Sequence, residues 1–254
     1  MKLYDYPEYY EVAFSFRDIE KETDFLEACI DKFSFVPVRR VFEIACGPAP
    51  HAGALTRRGY HYVGLDRNRH MLDHASYKWQ RLGPAAKFVD GDMADFAYDD
   101  PVDFAFVMLG SLYLNSLSEM KQHFDCVARI LRPGGLYFLD WCIQFSDPLA
   151  YQRENAYVQE RDGVVVESSF NIRLLDAARQ MYEEIWTVNV NDHGRQRRFE
   201  MIERNRAVYP QEFLLFVEGQ TAFEFVGWWH EWDLSKPIDG ATDINRPVAL
   251  LRRK

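Results

Sequence analysis

Between residues 41 and 142 the chain repeats one rhythm: a short apolar run, a turn, then a helical stretch. The runs at 41–46, 62–66, 87–89, 102–109 and 136–141 are rich in Val, Phe, Leu and Tyr and have strand length. The segments at 52–58, 69–81 and 118–131 carry apolar residues at helical spacing. Strands that alternate with helices are joined by right-handed crossovers into a parallel sheet. In such a sheet ligands bind at the carboxyl ends of the strands. The chain is therefore predicted to be α/β, with its chemistry at the strand-to-helix turns.

The flanks follow other patterns. Upstream, Tyr4, Tyr6, Tyr9, Tyr10, Phe14 and Phe16 form an aromatic cluster, and a helix is predicted from about Asp18, with Phe25, Leu26, Cys29, Ile30 and Phe33 on one face. Downstream, the period changes to two at 164–174, 181–190 and 195–208, and Asn191-Asp192-His193-Gly194 is a hairpin turn signal. This predicts a three-stranded antiparallel insertion. A helix at 210–218 is expected to start at Pro210 and stop at Gly219, and strands at 223–232 and 247–252 return to the main sheet. The expected domains are an N-terminal helical cap over 1–37, an α/β domain over 38–150 and 209–254, and the insertion over 151–208, serving as a lid or dimer interface.

Composition narrows the function classes. A net charge of −9 argues against a phosphate-backbone partner, because nucleic-acid affinity rests on Lys and Arg. The basic run Arg195, Arg197 and Arg198 falls on an expected solvated strand. Cys29, Cys46, Cys126 and Cys142 show neither disulfide-framework nor zinc spacing, which predicts no metal site and a reducing, cytoplasmic setting. No apolar run is long enough for a bilayer, so no membrane partner is expected. There is no GxSxG elbow, no HExxH helix and no Cys/His cluster.

The chemistry concentrates at Val41-Phe42-Glu43-Ile44-Ala45-Cys46-Gly47-Pro48-Ala49-Pro50-His51, a strand running through small residues into a helix. Small side chains let backbone amides approach a ligand closely. Nineteen residues beyond Gly47, a second strand ends in Asp66, placed to accept both hydroxyls of an adenosine ribose. Pro48 and Pro50 remove two amide donors, making the turn a poor cradle for a dinucleotide pyrophosphate.

With four further segments the pattern resembles the small-molecule branch of class I S-adenosylmethionine-dependent methyltransferases. Glu43, Ala45, Cys46, Gly47 and His51 stand where that family's turn reads acid-x-Ala-Cys-Gly-x-Gly-x-His, with Ala49 replacing a usual glycine. Gly64-Leu65-Asp66-Arg67-Asn68-Arg69-His70-Met71-Leu72 with Ala75 resembles its second element, and Gly91-Asp92-Met93 its adenine-binding element. Met108-Leu109-Gly110-Ser111-Leu112-Tyr113-Leu114 resembles the loop after the fourth strand, and Leu131-Arg132-Pro133-Gly134-Gly135 the turn before the fifth. The resemblance implies a Rossmann-like, doubly wound, seven-stranded, mostly parallel sheet with the antiparallel insertion after strand five.

It also implies S-adenosylmethionine as cofactor and in-line methyl transfer to the nitrogen or oxygen of a small molecule. The implied cofactor residues are Glu43, Ala45, Cys46, Gly47, His51, Asp66, Arg67, Met71, Asp92, Met93, Leu109 and Gly110. Glu43 or carbonyls near Ala45 would accept from the ammonium, Asp66 would hold the ribose, and Asp92 the adenine amino group. Met71, Met93 and Leu109 would cover the ring faces.

For the acceptor, position points to Tyr9, Tyr10, Phe14, Tyr113, Trp141 and Arg204, where aromatic faces could hold a cation. No catalytic residue stands out; His230, Glu183 and Glu184 are the available bases. The competing readings are a non-catalytic S-adenosylmethionine-binding protein, a methyltransferase of RNA or protein, and a nicotinamide-dependent oxidoreductase. A homodimer is compatible with the free edge of the insertion sheet.

Overall fold

The computed structural model describes residues 2–149 and 156–254. The first three helices are α1 (Pro7–Ala13), α2 (Ile19–Phe33) and α3 (Ala52–Arg57), with β1 (Arg40–Ile44) between the last two. Then come β2 (His61–Asp66), α4 (Arg69–Lys78), β3 (Ala86–Asp90), β4 (Val102–Val107), α5 (Leu117–Ile130) and β5 (Leu131–Asp140). The antiparallel part comprises β6 (Ala156–Arg161), β7 (Val164–Asp176), β8 (Met181–Asp192) and β9 (Arg195–Arg206). The chain closes with α6 (Pro210–Gln220), β10 (Phe223–Trp229) and β11 (Val248–Arg253).

Local chemistry starts the helices where the pattern places them. The Asp18 side chain accepts from the Lys21 amide at 3.0 Å, Asn68 from Met71 at 3.1 Å and Ser116 from Glu119 at 3.1 Å. The main sheet has the order β10-β11-β5-β4-β1-β2-β3. Its strands from β5 to β3 pair in parallel, while β11 runs antiparallel to both neighbours. The α/β, doubly wound, seven-stranded expectation holds. Every residue of β4 is buried, because helices cover both faces of the sheet. Phe42, Val107, Phe124 and Tyr137 build the core on the α5 and α6 side. Val41, Phe106 and Phe138 meet Phe25, Leu26, Leu55 and Leu72 on the other.

Three expectations need correction. The insertion has four strands, order β6-β7-β8-β9, instead of three. Strand β6 is a mostly polar edge that half-buries Tyr157 and Gln159, so its alternation is faint, and residues 151–155, the start of the expected insertion, lie outside the described residues. Asp162 and Gly163, both with positive φ (53° and 77°), form the hairpin turn that could have revealed it. Second, the aromatic N-terminus contains a helix of its own, α1, opened by Pro7 and burying Tyr9, Val12 and Ala13. Third, Gly219 lies inside α6, and the chain leaves the helix at Thr221, whose hydroxyl donates to the Val217 carbonyl at 2.7 Å.

The insertion sheet does not stand apart. Val166, Trp186, Val188, Val190, Phe199 and Met201 form a third core with Leu3, Tyr9, Val12 and Ala13. The N-terminus and insertion thus close together over the carboxyl ends of the parallel strands. Among the described residues no helix is long and apolar enough to cross a membrane.

Candidate active site

Three strand ends carry backbone strain. Ala45 after β1, Leu109 after β4 and Trp141 after β5 have φ of 55°, 56° and 58°, a region unfavourable to residues with a Cβ. Each such residue costs of order 1–3 kcal/mol and persists only where surrounding structure enforces it. Ala49, standing where a glycine is usual in the resembling pattern, has φ 52°.

The turn after β1 is held by Asp66. One carboxylate oxygen accepts from the Gly47 amide and the other from the Asn68 amide, both at 2.8 Å. Burial raises the Asp66 pKa above the usual carboxylate value, with those amides working against the rise. Gly47 has φ 52°, suited to glycine, and the Gly47 amide, like the two lost at Pro48 and Pro50, is not available to a pyrophosphate. Gly64 lets β2 press on the turn, since a Cβ there would sit 2.7 Å from the Cys46 sulfur.

A cavity of about 430 Å³ opens beside this turn. Of the expected cofactor residues, Ala45, Gly47, Asp66, Arg67, Met71 and Met93 border it. Asp66 keeps lone pairs for a ribose diol, and two thioethers flank the cavity. This donor and acceptor set fits an adenosyl group carrying a methionine tail.

The other expected cofactor residues are placed elsewhere. Glu43 and His51 are buried beneath the turn, with His51 Nδ1 2.8 Å from Glu43 and Tyr62 OH donating to the same carboxylate at 2.5 Å. Cys46 is buried against Gly64. Asp92 turns its carboxylate onto the Ala94 amide at 2.8 Å and is half exposed. Leu109 and Gly110 border a neighbouring cavity instead.

That second cavity, about 550 Å³, lies under the insertion sheet and shares Tyr4, Tyr10, Ser111 and Tyr113 with the first. Of the acceptor candidates, Tyr10, Phe14, Tyr113 and Trp141 line it. Tyr9 is packed into the third core with its hydroxyl on Asp192 at 2.8 Å. Arg204 points to the opposite face of the insertion sheet, paired with Glu183, because neighbouring strand residues face opposite ways. Glu183 lies on that outer face too, and neither it nor His230 borders either cavity. Glu184 does, with Tyr113 OH 3.3 Å away.

Sequence reasoning missed Tyr4, Trp186 and Arg246 in the lining. It also missed a buried ionic network joining the two halves of the site. His51 Nε2 lies 3.0 Å from Glu22, which accepts from Arg17 at 2.5 Å and from Arg246 at 3.2 Å. Arg246 in turn holds Asp140 through two bonds of 3.1 and 2.9 Å, and Asp140 accepts from the Leu109 amide at 2.8 Å. The path runs from the turn after β1 to the strained residue after β4. Its members are far apart in sequence, so no local motif announces them.

Comparison with known proteins agrees with this geometry. Residues 41–135 match the family model described as a methyltransferase domain. Cypemycin N-terminal methyltransferase from a Streptomyces species is 33% identical over 116 residues, 45% of this chain and 45% of that protein. The matches thus span about half the length of the curated relatives. A crystal structure of an S-adenosylmethionine-dependent methyltransferase from Clostridium acetobutylicum ATCC 824 superposes with a TM-score of 0.77 at 18% identity, covering 96% of both chains. CalS10, an amino pentose methyltransferase from Micromonospora echinaspora whose structure contains S-adenosylmethionine, gives 0.73 at 17% identity, again covering 96% of both. At these identities the structural likeness establishes the fold. Residues 41–135 are thus similar to a methyltransferase domain, and the sheet order around them is a fold shared with S-adenosylmethionine-dependent methyltransferases.

Proposed function

We propose that the protein transfers the methyl group of S-adenosylmethionine to the amine nitrogen of a small, oxygen-bearing molecule. The observation that carries this reading is the second cavity, where aromatic rings surround a carboxylate, Glu184, that has no ion-pair partner among the described residues. Ring faces and an unpaired carboxylate favour a cation. The arginines there are already engaged, Arg246 by Asp140 and Glu22, and Arg206 by Gln180 and Glu212. Two buried donors lack partners among the described residues, Trp186 Nε1 and Arg206 Nη1, and suit oxygen atoms on the acceptor.

When bound, the cofactor supplies an electrophilic methyl group on sulfur. Asp66 would hold its ribose, Met71 and Met93 its adenine faces, and the carbonyl region of Ala45 its ammonium, while Glu43 and His51 fix the turn from below. The insertion and N-terminus act as a lid that excludes water and aligns the acceptor. The cypemycin enzyme and CalS10 are named for amino-terminal and amino-sugar methylation, which supports a nitrogen acceptor here.

The test is label transfer from methyl-labelled donor to a panel of amino sugars, aromatic amines and amino acid esters, each beside its hydroxyl counterpart. Label is expected on amines and absent from the hydroxyl partners; the reverse preference refutes the reading.

A further inference from the structure

Building on the amine reading, we propose that Glu184 is the catalytic residue that takes the proton from the acceptor ammonium, with Tyr113 and Glu203 as positioning residues. Glu184 and Glu203 face each other in register across β8 and β9. Glu184 borders the acceptor cavity and Glu203 the cofactor cavity, so the pair stands where the two cavities meet.

Like charges directly opposite on one sheet face repel, and among the described residues no cation pairs with Glu184. Tyr113 OH reaches Glu184 at 3.3 Å, and Glu203 finds Arg67 only at 3.9 Å. The neighbouring Glu183, on the outer face, is by contrast paired with both Arg173 and Arg204. A second feature marks the same face as a ligand surface: Trp186, two residues along β8, borders the cavity with its buried indole N–H unpartnered among the described residues.

The groups around Glu184 are Tyr4 from the N-terminus, Tyr113 from the loop after β4 and Glu203 across on β9, while Tyr10 from α1 and Tyr182 on β8 line the same cavity with Arg206 and Arg246, both already paired with carboxylates. Burial raises the Glu184 pKa, Glu203 adds to the rise, and the Tyr113 hydroxyl opposes it. The Tyr113 hydroxyl itself is held well above its ordinary value by burial, and then by Glu184, Tyr4, Glu203 and Tyr10, so it stays protonated and serves as a donor. The same burial disfavours an ammonium, so in this cavity the two groups approach each other in proton affinity.

The step balances without another reactant. An N–H bond of the ammonium breaks, its proton goes to a Glu184 oxygen, and the nitrogen keeps the electron pair. That pair forms the new bond to the methyl carbon as the carbon–sulfur bond breaks and its electrons stay on sulfur. The products are a methylated ammonium and a neutral thioether, and Glu184 returns its proton to solvent.

Glu184→Gln keeps the shape and removes the base. On an amine acceptor from the labelled panel, kcat should fall by about 10²–10⁴-fold, with KM changed only a few-fold. The rising limb of the kcat profile should move toward the acceptor amine's own pKa, and Glu203→Gln should move the wild-type limb to lower pH. Thermal stabilisation by S-adenosylhomocysteine should be unchanged in Glu184→Gln. An acceptor-free measurement stands beside these: infrared difference spectra between wild type and Glu184→Gln should show the Glu184 carboxyl titrating above the ordinary value of about 4.3.

Titration at or below that value overturns the proposal, as does an unchanged kcat or a raised KM alone, which would make Glu184 an anchor only. Amine methylation that survives Glu184→Gln leaves the amine reading standing without this base. A wild type that methylates hydroxyls and no amine removes both.

Discussion

His51 and Glu43 form a fully buried pair, Nδ1 to Oε1 at 2.8 Å, directly beneath the turn that borders the cavity of about 430 Å³. The other ring nitrogen faces Glu22 at 3.0 Å, so the imidazole is clamped between two carboxylates. Burial alone would lower the His51 pKa, but Glu43 and Glu22 outweigh it and the value is raised. The stabilisation from the charged ring is therefore complete below about pH 6.5 and is lost as pH rises through the folded-state value. Glu22 is held below the carboxylate range: its burial is outweighed by hydrogen bonds from His51 and Arg17. Its contribution is present above about pH 4.5 and fades only as pH falls through the lowered value. Thermal melts from pH 5.5 to 9 should show wild type losing its advantage over His51→Asn as pH rises. Parallel curves would contradict the charged clamp.

Arg246 joins Glu22 to Asp140, and Asp140 holds the Leu109 amide. Arg246→Met leaves buried Asp140 without an ion-pair partner among the described residues, while Glu22 keeps Arg17 and His51, and should cost about 3–5 kcal/mol, read by denaturant unfolding. Since Arg246 also stacks on Trp232 at 4.7 Å, Met retains part of the packing, so a loss under 1 kcal/mol would show that the network is not stabilising.

Asp66→Ala should weaken S-adenosylhomocysteine binding on the order of a hundredfold or more, as two charge-assisted bonds contribute about 1.5–3 kcal/mol each. Titration calorimetry is the measurement. An unchanged dissociation constant would remove Asp66 from the site.

Trp186 stacks on Phe170 with centroids 5.4 Å apart and planes 8° from parallel. Trp186→Phe keeps a ring and deletes only the unpartnered N–H. The KM for an oxygen-bearing amine should rise about tenfold, the size of one hydrogen bond near 1–1.5 kcal/mol, with cofactor affinity unchanged. No change in KM would place the acceptor away from this wall.

The parallel half of the fold was readable because its signals are local. Runs of apolar residues mark β1, β2 and β4, Asn68 and Ser116 mark helix starts, and the spacing from Gly47 to Asp66 marks the turn that borders the first cavity. What escaped is set by long-range contact. Polar β6 becomes a strand by pairing with β7, and α1 by burial against the insertion. Glu43 and His51 match the family pattern from 41 to 51, yet they support the turn instead of bordering the cavity, because Glu22 and Arg17 arrive from α2 and the segment before it to enclose His51. Glu184 and Glu183 are adjacent and alike in sequence; only the register with β9 separates an inward carboxylate from an outward, paired one.

The most direct test of methyl transfer to nitrogen supplies the protein with carbon-13 methyl-labelled S-adenosylmethionine and a small-metabolite extract, then locates the labelled carbon by mass spectrometry and NMR. One or a few small products bearing an N-methyl carbon are expected, with release of S-adenosylhomocysteine. Label that stays in the donor, or appears on oxygen, would contradict the account.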